Sequence, residues 1–316
     1  MRWLWAALLV AALVISGCTS RVGGTAFPDP QARKPLPDSS VELIGNANTL
    51  DPCGLLDPAA LAQFGTAQRQ DQESYDYCVL RMPMSGANVA VRFGLLERIN
   101  SVADLQARQN REVEPVGSLR VFEETPVPDR CARYIVFSDN VTLAVSADTV
   151  DSPNKTVSEL CSVVEKSATV IAENVAAKKV THRQYEPTSF GPLDACKAAV
   201  VSLSQIPGLA VADVNSYPAH HQCRWGGPTV PSLQVRYVLA EPSGASYVKH
   251  ETIDGKQTGV YNVDITGRSL CVAELKGTGR ELAQVVVRLA PNQADAACSA
   301  ARIVAGEVWE KLPATS

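Results

Sequence analysis

Two stretches of the chain carry one helical stripe. Val157, Leu160, Cys161, Val164, Ala168, Ile171 and Val175 recur at steps of three and four, which gives an amphipathic helix with one buried face. Cys298, Ala301, Ala305, Val308 and Leu312 repeat the stripe near the C-terminus. Upstream of each helix the period falls to two. Val89-Ala90-Val91-Arg92-Phe93-Gly94-Leu95-Leu96-Glu97 aligns with Leu233-Gln234-Val235-Arg236-Tyr237-Val238-Leu239-Ala240-Glu241, and both read as strands with an arginine on the face opposite the apolar residues. A meander follows each, through Val121-Phe122, 131–137 and 141–145 in the first half and through 270–275 and 282–289 in the second. The turns at Ser138-Asp139-Asn140 and Lys276-Gly277-Thr278-Gly279 hold residues that tolerate positive φ. Boundary chemistry predicts a first helix from Asp57-Pro58 to Gly65 and its counterpart over 195–204. Ser101 opens a middle helix through Leu105, whose counterpart near 246–251 has a weaker pattern. The expected fold is α+β, an antiparallel sheet covered by helices and given twice.

The cysteines carry the same repeat. Apart from Cys18, they form two sets: Cys53, Cys78, Cys131 and Cys161, then Cys196, Cys223, Cys271 and Cys298. Matched members lie about 140 residues apart, a period that indicates a tandem module. Four cysteines allow three pairings per module. Pairing each with its neighbour (Cys53–Cys78, Cys131–Cys161, Cys196–Cys223, Cys271–Cys298) is preferred, because each helical stripe points its cysteine at the strand bearing the preceding one. A zinc site is disfavoured: no CxxC pair and no zinc-like Cys–His spacing occurs.

The N-terminus breaks this pattern. An uncharged apolar run from Trp3 to Ile15 follows Arg2; it is short for a bilayer span and suits a signal-peptide core. Ile15-Ser16-Gly17-Cys18 is similar to the bacterial lipobox, which implies cleavage after residue 17 and lipidation of Cys18. Diacyl anchoring holds a protein stably at a membrane, so the expected location is the outer face of the cytoplasmic membrane. Residues 18–49, with Pro28, Pro30, Pro35 and Pro37, read as a tether. The expected modules are 50–176 and 193–313, joined by a linker over 177–192.

Composition changes little: 46% hydrophobic, 20% charged, net charge −4. The balance disfavours a nucleic-acid partner, which calls for a basic stripe. No P-loop, G-x-S-x-G elbow or H-E-x-x-H motif occurs, and no cofactor, metal or catalytic set is expected. Of the four histidines, the adjacent pair His220-His221 is the only candidate for metal capture, and the plainer reading is a solvated loop. His182 is expected to be exposed in the linker. Arg92 and Arg236, with Glu97 and Glu241 closing their strands, form either a ligand face used in both modules or a charged solvent face; the latter is preferred.

Asp51-Pro52-Cys53-Gly54-Leu55-Leu56, the lipobox, the proline-rich tether and Cys78 together resemble a family of actinobacterial lipoproteins of unknown function. The two-disulfide helix–sheet–helix pattern is more loosely similar to the extracellular sensor domain of mycobacterial membrane Ser/Thr kinases. The resemblance covers the first module well and the second only through its cysteines and strand. It implies a cell-envelope location and carries no catalytic residues. The expected role is a non-enzymatic module, membrane-held through its lipid, that binds a small ligand or an envelope protein. The alternatives are a hydrolase or transferase acting on cell-wall or lipid substrates and a structural spacer.

Overall fold

The structure, a computed structural model, describes residues 38–314 apart from 72, 85, 151–156, 228 and 266. The signal segment 1–17, Cys18 and the tether up to residue 37 lie outside the described residues.

Module one contains α1 (Ser40–Ile44), β1 (Gln68–Arg69), β2 (Cys78–Met84), β3 (Ala87–Arg98), α2 (Val102–Ala107), β4 (Arg111–Val116), β5 (Leu119–Glu123), β6 (Arg130–Val136), β7 (Val141–Thr149) and α3 (Val157–Ala176). Module two contains α4 (Ala195–Ala198), β8 (Val214–Ser216), β9 (Gln222–Trp225), β10 (Ser232–Leu239), β11 (Lys249–Ile253), β12 (Lys256–Ile265), β13 (Arg268–Lys276), β14 (Glu281–Leu289) and α5 (Ala294–Glu310). The sheets run β1-β2-β3-β7-β6-β5-β4 and β11-β12-β13-β14-β10-β9-β8. Reversing the second order gives the first, strand for strand, and every pairing is antiparallel. The duplication is therefore structural as well as sequential.

The long helix of each module crosses one face of its own sheet. Leu160, Val164, Ala168, Ile171 and Val175 are buried along α3, and Ala297, Ala301, Val304, Ala305 and Val308 along α5. Fully burying a side chain of the Val/Leu/Ile kind is worth about 1.5–3 kcal/mol, so these stripes, more than helix propensity, hold the layers together. Four disulfides join neighbouring cysteines: Cys53–Cys78, Cys131–Cys161, Cys196–Cys223 and Cys271–Cys298. In each module one bridge ties the N-terminal turn to the second strand, and the other ties the long helix to a central strand. No helix among the described residues is long and apolar enough to cross a membrane.

Several expected boundaries move. Packed structure begins at Ser39 rather than at residue 50. The Ser39 hydroxyl caps α1 by accepting from the Glu42 N–H, the Ser40 hydroxyl donates to Asp139 at 2.6 Å, and Leu43 and Ile44 enter the core. The helix expected from Asp57 to Gly65 is only a 3-10 turn, Pro58–Leu61. Gly65, with φ +146, lies against the Pro83 carbonyl, so the chain leaves the turn there. No counterpart of α2 forms in module two, where residues 249–253 become the edge strand β11. Module one shows the converse surprise in β4, an edge strand with an irregular polar pattern.

The helix expected over 195–204 divides into α4 and a 3-10 turn, Ser202–Gln205, because a side chain from α5 captures the intervening backbone. Glu307 accepts from the N–H groups of Val200, Val201 and Ser202 at 2.8, 3.1 and 2.8 Å, and from the Ser202 hydroxyl at 2.6 Å. Burial raises the pKa of this carboxyl, but the Ser202 hydroxyl and the three N–H groups outweigh it and hold the group well below the usual carboxylate range. A depressed carboxylate stabilises the fold above its unfolded pKa, about 4.3, and loses that contribution as pH falls toward the folded value. Glu307→Gln is accordingly expected to lower stability near neutral pH by roughly 1–3 kcal/mol. The gap from wild type should narrow as pH drops below about 4.3. Urea unfolding at stepped pH measures this, and a gap independent of pH would contradict it.

The two halves are not beads on a linker. The described residues of both halves belong to one compact unit, and the segment expected as a linker is packed structure. Leu50 bridges His182, the Asp51 N–H donates to Thr181 O at 2.9 Å, and the Arg183 N–H donates to Thr49 O at 2.7 Å. Ser189, Phe190 and Gly191 are buried. On the other side of the seam, Ser74 bridges Val238 and the Leu239 N–H donates to Glu73 O. Module one thus continues the pairing along β10 beyond the end of β9.

Candidate functional site

The segments leading into the second cysteine of each module meet at the seam. Asp76 and His221 each stand two residues before that cysteine, so they occupy matched positions. His221 Nδ1 lies 2.6 Å from Asp76 Oδ1, with the two side chains 1% and 2% exposed. A residue facing its own counterpart is the signature of a two-fold interface between like units, here built within one chain. The Gln222 side chain, one residue further on, donates to Asp76 Oδ2 at 2.5 Å, and His221 Nε2 faces Gly191 O at 2.9 Å. The Asn48 side-chain amide at 3.2 Å and the Tyr185 hydroxyl at 3.4 Å also meet Nε2, so hydrogen-bonding groups enclose both ring nitrogens.

Aromatic rings close around the pair. The Tyr75 ring stacks on His221 with centroids 4.8 Å apart, and Tyr185 meets both rings edge-on. Tyr75 belongs to module one by sequence, yet it packs in the core of module two with Phe190 and Tyr237. Its hydroxyl donates to Glu281 Oε1 at 2.6 Å, and the same carboxylate accepts from the Ser189 hydroxyl and from the Phe190 N–H at 3.0 Å. Burial first, then the Glu281 hydrogen bond, pushes the Tyr75 hydroxyl far above its ordinary pKa.

This corrects the solvated-loop reading of the histidine pair. His220 is partly exposed near Asp194, whereas His221 is enclosed, because docking of the two halves covers the loop. Among the described residues no group of three ligands is placed to hold a metal. His182 is exposed and touches the Thr49 hydroxyl at 2.9 Å. A histidine–carboxylate pair invites a catalytic reading, but a general base must reach the proton it removes. His221 Nε2 is closed off by a backbone carbonyl and reaches no open space. The pair is a clamp.

The open site lies beside it. A cleft of about 390 Å³ is lined by Glu73, Tyr77, Arg236, Glu241, Arg280 and Gln284, among others. Of the two arginines singled out in the sequence, Arg236 lines the cleft, and Arg92 approaches its Tyr77 from outside it. The Arg92 guanidinium sits 5.6 Å from the Tyr77 ring centroid while contacting Asp148 at 3.4 Å. Arg92 is 43% exposed. Arg236, by contrast, is half-buried. Arg236 Nε donates to Gln284 Oε1 at 2.7 Å, Gln284 Nε2 donates to Glu274 Oε2 at 3.1 Å, and the Tyr261 hydroxyl donates to the same oxygen at 3.2 Å. This chain engages Nε and leaves the terminal guanidinium nitrogens toward the cleft. Burial pulls the Arg236 pKa down, while Tyr261, Tyr77 and Glu274 pull it up. Tyr77 is raised first by burial and next by Glu73, with Arg92 and Arg236 opposing. Glu241 contacts Lys276 and Arg280 at the rim, and the Glu97 carboxyl, raised by burial, is in electrostatic reach of Arg108 and Arg224.

The sequence reading missed Tyr75, Asp76 and Tyr77. Their signal was the position beside Cys78, which the repeat matches to His220-His221-Gln222 beside Cys223.

A family described as protein of unknown function (DUF3558) matches residues 13–174. No curated protein matches the chain. Among solved structures, a similarity is found to the di-domain aromatase/cyclase StfQ of the steffimycin biosynthetic pathway, at 10% identity over 83% of this chain and 91% of that one, TM-score 0.18. Another is to DynU16, from the dynemicin biosynthetic locus, at 12% identity over 87% and 94%, TM-score 0.18. At such scores neither similarity bears on fold or function.

Proposed function

The chain belongs to the DUF3558 family, and from that premise we propose that it is a lipid-anchored protein of the outer face of the cytoplasmic membrane that binds a ligand or envelope partner. The observation that carries the binding reading is the inter-module cleft. Arg236 is half-buried there with its terminal nitrogens unengaged, and Tyr77 offers a ring flanked by a second arginine. A few oriented polar groups in a concavity are what a binding site needs. The occupant of this cleft carries an anionic group for Arg236 and a flat or apolar part for Tyr77. The anchor reading is supported by the apolar run and by Ile15-Ser16-Gly17-Cys18.

Two experiments test the two parts. Cells fed an alkyne fatty acid are expected to label the wild-type protein and not Cys18→Ser; equal labelling of both would end the anchor reading. Protein extracted gently from membranes and examined by native mass spectrometry is expected to carry a bound species. Arg236→Gln and Tyr77→Ala should each reduce its occupancy by at least about tenfold, since hydrogen bonds to charged groups are worth about 1.5–3 kcal/mol. If both variants retain the species, or if neither a bound species nor an in-cell crosslink through the cleft is found for wild type, the spacer reading takes its place.

A further inference from the structure

The two sheets share one topology, but their outer faces are finished differently. In module one α2 lays Leu105 against Phe122 and Val136 on the face away from α3. In module two the connection from β10 to β11 holds no helix; its loop instead lays Ser243 against Glu274 and Tyr247 against Tyr261, and Leu270, Val272 and Val286 form a small buried cluster on the matching face.

That face holds a row of arginines. Arg224 on β9 stands opposite Gln234 on β10, and Arg236 opposite both Gln222 and Gln284. Arg288 on β14 stands opposite Ser232 and Leu270, and Arg268 lies two residues before Leu270, hence on the same side of the sheet. The alternate positions Cys223, Val235, Val287 and Cys271 point into the core under α5. Among the described residues none of these four arginines forms an ion pair. The bonds they make go to neutral amides: Arg236 to Gln284 at 2.7 Å and Arg288 to Gln234 at 3.4 Å. Arg224 Nε is buried with no partner. The nearby carboxylates are otherwise occupied or peripheral: Glu274 accepts from Gln284, Tyr261 and the Ser243 N–H, and Glu97 lies across the seam near Arg224. Arg288 is held below its ordinary pKa by burial and then by repulsion from Arg236, Arg268 and Arg224.

Half-buried like charges without counter-ions oppose folding, and an anionic ligand relieves that opposition. The row contains arginines and no lysine, and guanidinium forks suit the paired oxygens of phosphate. The Tyr77 and Tyr217 hydroxyls, both raised by burial first, remain protonated donors at its margin. We infer that the outer face of the second sheet, from Arg236 through Arg224 and Arg288 to Arg268, binds a ligand bearing several phosphate groups. This inference rests on the binding reading of the adjoining cleft, with Arg236 at the junction, and adds the ligand chemistry. The phosphates come either from a lipid surface or from a soluble phosphorylated molecule.

The test uses the full folded chain from Ser39 with its disulfides formed, titrated calorimetrically with inorganic tripolyphosphate. In parallel it is co-sedimented with phosphatidylcholine vesicles with and without phosphatidylglycerol. Salt-sensitive binding of at least one phosphate probe is expected. Arg224→Gln and Arg288→Gln should each weaken it about tenfold, and Arg302→Gln, on the helix side and paired with Glu251, should leave it unchanged. Binding to anionic vesicles, with tripolyphosphate competing, identifies a lipid source; binding to tripolyphosphate alone identifies a soluble one. Because each variant removes a repelled cation, its melting temperature without ligand should equal or exceed that of wild type. A merely structural arginine would not behave so. The inference is overturned if neither probe binds, or if Arg288→Gln and Arg302→Gln bind alike. Retention of the species lost in Tyr77→Ala would then leave the cleft reading standing by itself.

Discussion

Asp76→Ala and His221→Ala are each expected to destabilise the protein by about 3–5 kcal/mol, because removing one member of a buried histidine–carboxylate pair strands the other without water. The seam offers no relief. Gly191 O, Gln222 and the Tyr75 ring surround the pair, and both side chains are all but inaccessible. Since each kcal/mol moves the melting temperature of a chain this large by about 2–4 °C, a drop on the order of 10 °C follows, readable by circular dichroism. The loss should not be confined to one module, because Tyr75 and the 189–191 segment pack with module two while Asp76 belongs to module one. The double variant Asp76→Leu/His221→Leu should lose less than the sum of the single variants, since paired replacement removes both stranded groups. Single variants that melt within a degree of wild type would show that the pair lies where the halves touch without holding them.

The second large effect concerns the bridges. Replacing Cys271 and Cys298 together by alanine is expected to cost about 3–4 kcal/mol, the chain-entropy value for a loop of this length, which spans 27 residues. This bridge fixes β13, a central strand, to α5. Its loss therefore frees the main core helix as well as relaxing the unfolded chain. The equivalent pair Cys131 and Cys161 should behave alike, as the two modules place it on matching elements. Urea midpoints at constant slope measure both effects. A double variant with an unchanged midpoint would show that apolar packing alone holds the helix, and peptide mapping that found bridges between modules would overturn the pairing itself.

How much was legible beforehand differed by element. The stripes of α3 and α5, the alternation in β3 and β10 and the paired cysteines were readable because each is a short-range regularity. The helix over 195–204 misled because its backbone donors are claimed by Glu307, about a hundred residues away in sequence, and tertiary context overrides local propensity. The segment over 177–192 read as a linker from its polar and proline content, yet its backbone has partners at Leu50, Asp51 and Thr49. Of the candidate site residues, Arg92 and Arg236 were found through the repeat. His221 was noticed for its chemistry but assigned to solvent, because nothing local to it shows that a second half will cover it.

By itself the sequence determined the α+β class, the twofold repetition and the helix faces that turn inward, and it favoured the pairing of neighbouring cysteines. All of these follow from periodicity and spacing within a few dozen residues. Only the tertiary structure decided that the halves dock through Asp76 and His221, that Tyr75 crosses into the other core, and that an arginine face stays without a covering helix. A pattern of apolar positions states that a face must be hidden; it does not state what will hide it. That choice rests on shape and charge assembled from distant parts of the chain.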